Sequence, residues 1–149
     1  MTDMVLKKQL TGEDIVSLMA LRATAWNASG IKFKPSQPGS SMLSDDLDFS
    51  SSVEHIFLYD DNILIGAGRI SFHAEIIELG GAQKYYSDYS DQSLNYAQLS
   101  RLVLHPTYWN KGLSHLLVDE RIRRAKERNV EVVLTNVVGD TRKDSFLNQ

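Results

Sequence analysis

The 149-residue sequence contains no cysteine. That excludes disulfides, thiolate nucleophiles and thiolate metal sites, and makes a reducing cytoplasm the expected setting. An excess of one charge is lacking too. Lys and Arg total 16 against 19 Asp and Glu, a net −3, which argues against a general binder of nucleic acid or acidic membrane. Long apolar runs are missing: "MTDMVLKKQL" has no stretch long enough for an export signal, and nothing downstream approaches a membrane span. No phosphate loop G-x-x-x-x-G-K-[ST], no H-E-x-x-H and no G-x-S-x-G elbow occurs. "GAGRIS" supplies two glycines of a dinucleotide fingerprint but falls inside a strand pattern. His55, His73, His105 and His115 have no metal-like spacing, so no metal is expected and solvated or hydrogen-bonded roles are the default.

What remains fits one domain over residues 1–149, able to bury roughly two-thirds of its unfolded surface. "MVLKKQL" reads as a strand, followed by a helix over "TGEDIVSLMALRATAW". Thr11 caps that helix, Asp14 sits near its positive end, and Ile15, Leu18, Met19, Arg22, Ala25 and Trp26 form a mostly apolar stripe. The Ser-, Pro- and Asp-rich stretch from Lys34 to Ser52 predicts a long loop with at most one helical turn. Asp45, Asp46 and Asp48 there are explained by solvation and helix capping. "VEHIFLYDDNILIGAGRISFH" predicts a hairpin turning at Asp60-Asp61-Asn62. "AEIIELGGAQKYYSDYSDQS" is ambiguous. "LNYAQLSRLVLH" is a strand ended by Pro106, residues 111–128 a helix, and "VEVVLTNVV" a strand buried on both faces. The element order is β-α, then β-β-β, then β-α-β, the last unit being sized for a parallel crossover. In the second helix Leu113, Leu116 and Leu117 face one way and Val118, Ile122 and Ala125 another. Arg121 and Arg124 interrupt the stripe, most simply as a solvated basic face.

The segment "HPTYWNKGLSHLLVDE" carries the most chemistry. A strand halted by Pro106 and a helix entered near Lys111 leave the N–H groups of residues about 109 to 114 without intrahelical partners, an arrangement suited to an anion. Gly112 keeps side-chain bulk away from it, and Lys111 adds a mobile positive charge. An ordinary β-α turn whose glycine eases the bend is the plainer alternative.

"SRLVLHPTYWNKGLSHLL" resembles the acyl-CoA-binding motif of the GNAT superfamily of N-acetyltransferases, a strand ending V/L-x-P and then [RQ]-x-x-G-x-[GA] opening a helix. Leu104-His105-Pro106 matches the strand end and Gly112 the first glycine. Trp109 replaces the usual Arg or Gln, and Ser114 the usual Gly or Ala. "DDLDFSSSVEHIFLYDDNILIGAGRIS" resembles the superfamily's central hairpin, and the likeness covers residues 4–149. It implies an α/β (α+β) fold with a mixed, mostly antiparallel twisted sheet flanked by helices, short of the family's last strands. It further implies acetyl-CoA or another acyl-CoA as cosubstrate, held by Leu102, Val103, Leu104, Trp109, Asn110, Lys111, Gly112, Leu113, Ser114 and Asn136. The acceptor would be a small-molecule amine. "QLSRLVLHPTYW" is also similar to N-acyl amino acid and acyl-homoserine lactone synthases, with Gln98 in place of their carboxylate, a likeness that implies acyl carrier protein as an alternative donor.

In this family an amine attacks the thioester directly. The resemblance assigns proton handling to the strand bearing Gln98 and Ser100, with His73, Glu75 or Glu78 as fallback bases. The family's usual acid, a Tyr, aligns with Leu147, which cannot donate a proton, leaving solvent or Tyr108. Trp26, Phe33 and "KYYSDYSDQSLNY" are expected around the acceptor. A flat edge over residues 130–138 points to a homodimer. An acyl-CoA-binding protein without catalysis is the alternative from another class.

Overall fold

A computed structural model of the protein describes residues 1–30, 43–75 and 93–135. Its described elements are β1 (Thr2–Lys7), α1 (Gly12–Ala28), a 3-10 turn (Asp46–Phe49), β2 (Val53–Asp60), β3 (Ile63–Glu75), β4 (Ser93–Leu104), a second 3-10 turn (Pro106–Tyr108), α2 (Ser114–Glu127) and β5 (Val132–Thr135). The strands form one sheet in the order β1-β2-β3-β4-β5. Its first three pairings are antiparallel and β4–β5 is parallel. The expected α/β fold, mostly antiparallel with a helical crossover into the last strand, is the observed one.

Local chemistry explains the elements. Thr11 Oγ1 accepts from the Asp14 N–H at 3.1 Å while Asp14 Oδ2 accepts from the Thr11 N–H at 3.0 Å, a reciprocal cap that starts α1. The β2–β3 hairpin turns through Asp61 and Asn62, both at positive φ, the conformation that matches the twist of two paired strands. On one face of the sheet Leu18, Leu21 and Ala25 of α1 pack on Phe57, Ala67 and Val103. On the other, Leu117 packs on Ile56, Leu58, Ile65 and Leu104, and Ala125 on Ile70, Ala97 and Leu99.

Several expectations are corrected. The second helix begins at Ser114, not Lys111, because Asn110 and Gly112 have left-handed backbones that cannot belong to an α-helix. Arg121 is 1% exposed, and Arg124 reaches the buried Glu54 carboxylate through Nε at 3.0 Å and Nη2 at 2.8 Å. Both arginines therefore turn inward. Of β5, Leu134 is buried but Val133 is 40% exposed, so burial on both faces does not hold there. Residues 136–138, part of the expected pairing edge, lie outside the described residues.

Candidate functional site

The site is built around a break in β4. Ala67 pairs with Val103 and Arg69 with Ser100, so three steps along β4 answer two along β3. This is a bulge at Arg101–Leu102, opposite Gly68. Arg101 takes φ +53, a region a long side chain seldom adopts. The extra residue reverses the alternation. Before the bulge Ala97 and Leu99 face α2; after it Leu102 and Leu104 do, and Val103 turns toward α1. Among the described residues β4 pairs with β5 from Tyr96 to Leu99.

The α1 face of β3 and β4 carries a ladder of polar cross-strand pairs: Arg69 with Ser100, Ser71 with Gln98, His73 with Tyr96. Arg69 Nε donates to Ser100 Oγ at 2.9 Å. His73 Nε2 lies 2.7 Å from Ser71 Oγ, and its ring stacks on Tyr96 with centroids 5.2 Å apart. Gln98 and Ser100 thus share a face, as the alternation implies, and His73 joins it.

Beside the ladder is an ion cluster that sequence reasoning missed. Arg22 donates to both oxygens of Asp48 at 2.8 and 3.0 Å, and to the Leu43 carbonyl at 2.7 Å. Arg69 Nη1 donates to Asp45 at 2.6 Å and Asp48 at 2.9 Å, and Arg101 Nη2 to Asp45 at 2.9 Å. Asp45 and Asp48 also cap the first 3-10 turn, so capping was legible in the sequence. Solvation of Asp48 was not the outcome: its side chain is inaccessible. Burial alone would raise the Asp48 carboxyl, but Arg22 and Arg69 outweigh it and hold it well below the carboxylate range. Burial pushes His55 down. Its Nε2 donates to the Asp48 carbonyl at 3.0 Å, which fixes the tautomer, and Nδ1 has no partner among the described residues. Trp26 lies beside this cluster with the Arg101 guanidinium 5.4 Å from its ring.

At the end of β4 the chain makes the second 3-10 turn and then enters α2. The Trp109 N–H closes that turn on the Pro106 carbonyl at 3.1 Å, so Trp109 leaves the expected set of unpaired donors. The N–H groups of residues 110–114 make no main-chain hydrogen bond among the described residues. Leu113 stands at the cap of α2 without a side-chain cap bond. Gly112 has φ +75, and a Cβ built there would meet nothing within 4 Å. The glycine is thus required by backbone conformation, and the space beside it is open. The Trp109 indole folds back to donate from Nε1 to the Leu104 carbonyl at 2.7 Å. Lys111 Nζ lies 5.5 Å from the Tyr108 ring.

Tyr108 packs partly against the Leu104–Leu117 cluster and donates to Asp60 Oδ2 at 2.5 Å. That bond raises the Tyr108 phenol and lowers the Asp60 carboxyl, so the Tyr108 proton is committed to the β2–β3 turn. Leu102, Val103, Leu104, Leu113 and Ser114 surround the strand end and turn. Asn136, Phe33, Glu78, Leu147 and the tyrosines at 85, 86 and 89 lie outside the described residues, as does the side chain of Glu75. Among the described residues no cluster of His, Cys, Asp and Glu could hold a metal, and no helix is long and apolar enough to cross a membrane.

A bulged β4 and a glycine turn leading into a helix without a side-chain cap define an acyltransferase-like α/β fold. The sequence profile of the acetyltransferase (GNAT) family matches residues 18–146, and the chain belongs to that family. No curated protein sequence matches it. Among solved structures it is similar to a ribosomal-protein-alanine N-acetyltransferase of Brucella melitensis biovar Abortus 2308, at 17% identity and TM-score 0.63 over 99% of this chain and 87% of that one. A predicted acetyltransferase of Clostridium acetobutylicum, solved with acetyl-CoA, gives 15% and 0.63 over 99% and 88%. An aminoglycoside acetyltransferase from an uncultured soil sample gives 11% and 0.62 over 100% and 88%. At these identities the structures speak for the fold.

Proposed function

We propose that the protein transfers an acyl group, acetyl in the first instance, from acyl-CoA to the primary amine of a small molecule or peptide. The observation that carries this is the open Gly112 turn that follows the bulged β4, where the N–H groups of residues 110–114 make no main-chain hydrogen bond among the described residues. Residues 110–114 would receive the diphosphate through their N–H groups at the positive end of α2. Residues 102–104 would align the acyl arm, and a backbone N–H there would face the developing oxyanion, a contact worth about 2.7–4 kcal/mol where measured. Alignment of amine and thioester supplies up to roughly 7–11 kcal/mol of barrier reduction.

The amine attacks the thioester carbonyl as a free base, the C–S bond breaks and the sulfur leaves as thiolate, so the ammonium proton must first go elsewhere. In the polar ladder, His73 supplies an imidazole, a side chain that can take up and release a proton. The reading passes the proton through water ordered by Gln98, Ser71 and Ser100 to His73. Ser100 Oγ accepts from Arg69, which leaves its own proton for donation to the leaving group or to water.

A second reading is an acyl-carrier-linked N-acyl amino acid or lactone synthase. It is favoured by the way Asp45 and Asp48 bind Arg69 and Arg101, coupling the aspartate-rich segment to the Q-x-S-R strand itself. A thiol-release assay with acetyl-CoA, long-chain acyl-CoA and acyl carrier protein against an amine panel separates the two. Turnover with carrier-bound acyl groups alone selects the second. Coenzyme binding without thiol release for any donor indicates a non-catalytic binder.

A further inference from the structure

The guanidinium of Arg121, projecting from α2, lies under the β4 bulge. Nε donates to the Leu117 carbonyl of its own helix at 3.1 Å, while Nη1 donates to the Arg69 carbonyl at 3.2 Å and the Ser100 carbonyl at 3.3 Å. The last two acceptors belong to the two strands at the level where their register slips. Gly68 makes this approach possible: a Cβ there would come within 2.9 Å of Arg121 Nε and 3.1 Å of Cδ and Cζ. The two glycines of "GAG", unexplained by any dinucleotide motif, thus include one that clears room for a buried cation.

A bulge takes carbonyls out of the regular ladder, and a buried carbonyl needs a donor. An apolar residue at position 121 would fill the hollow but supply none. Arg121 donates to the carbonyl of the Ser100–Arg101 peptide, the link immediately before the left-handed Arg101. We infer that Arg121 is a positioning residue. By bonding the Ser100 and Arg69 carbonyls it holds the β4 bulge, and with it the direction of the main-chain N–H groups that follow. The claim rests on the acyl-transfer reading for its catalytic consequence, but its structural half can be tested separately.

The test compares Arg121→Lys, Arg121→Met and Gly68→Ala with wild type, and uses Arg123→Ala, on the exposed face of the same helix, as control. Three quantities are read: the ¹⁵N–¹H shifts of residues 100–103, the Kd for coenzyme A, and kcat and KM for thiol release. The expected result is displaced amide shifts, a Kd within about threefold of wild type, and kcat lowered by about 10²-fold in Gly68→Ala, the scale of a misplacement near 1 Å. Arg121→Lys should retain more activity than Arg121→Met. If Arg121→Met does not fold, Arg121→Lys and Gly68→Ala decide. Folded variants whose amides do not move, or whose kcat stays at wild type while the amides move, overturn the inference. Wild-type protein that neither binds coenzyme A nor releases thiol overturns the acyl-transfer reading instead, and the amide shifts then judge the bulge alone.

Discussion

The Trp109 indole donates its N–H to the Leu104 main-chain carbonyl at 2.7 Å, tying the start of the turn back to the end of β4. Trp109 stands where the family usually carries Arg or Gln, and here its polar atom serves the strand end. Replacement by Phe keeps the ring and deletes the bond. The expected loss is about 1 kcal/mol, the usual net contribution of one such hydrogen bond, measured as a lower urea midpoint. Coenzyme A affinity should stay within a few-fold.

Gly112→Ala forces a Cβ onto a backbone at φ +75. The left-handed conformation costs an L residue about 1–2 kcal/mol, and relief of that strain would redirect the donors of residues 110–114. Thermal melting should register the first effect. Calorimetry should register the second as weaker coenzyme A binding than the stability change alone explains.

Asp48→Asn leaves Arg22 and Arg69 short of their shared carboxylate inside the molecule. Removal of one partner from a buried ion pair typically costs about 3–5 kcal/mol. Because the Asp48 carboxyl lies below its ordinary 3.8 in the folded protein, its contribution is complete above that pH and is lost as pH falls toward the folded value. Acid unfolding of wild type should therefore steepen below pH 3.8, and Asp48→Asn should lack that part of the slope.

His55 works in a higher window. Burial lowers its pKa from 6.5, so below pH 6.5 the unfolded chain takes up a proton that the folded chain resists. Stability should fall as pH drops from 6.5 toward the folded value. His55→Gln should flatten the decline of Tm across this window.

His73→Gln removes the ladder's imidazole. kcat/KM should fall by about 10²-fold or more, the scale of general-base catalysis. The Kd for coenzyme A should be unchanged. A rate that stays at wild type would assign the proton to another group.

Much of the fold was legible because its signals are local. The Thr11–Asp14 cap, the Asp61-Asn62 turn and the halt at Pro106 each depend on residues within a few positions. The bulge was legible in principle. Along β4 the residues facing α2 fall at 97, 99, 102 and 104, and a step of three inside a period of two marks an inserted residue. The ion cluster was not, because Arg22, Arg69 and Arg101 lie far in sequence from Asp45 and Asp48, and the aspartates taken alone read as solvated or capping. Arg22, placed within an apolar stripe, was the clue that a partner had to come from elsewhere. Arg121 and Arg124 misled for the same reason, since charge on a helix suggests water until its buried acceptors are known.

Titration of the folded protein with acetyl-CoA, followed by calorimetry, bears most directly on the claim that donors past the β4 bulge hold an acyl-CoA. The account predicts saturable binding at one site per chain, displaced by coenzyme A and weakened in Gly112→Ala. No heat and no thermal stabilisation at millimolar acetyl-CoA would contradict it.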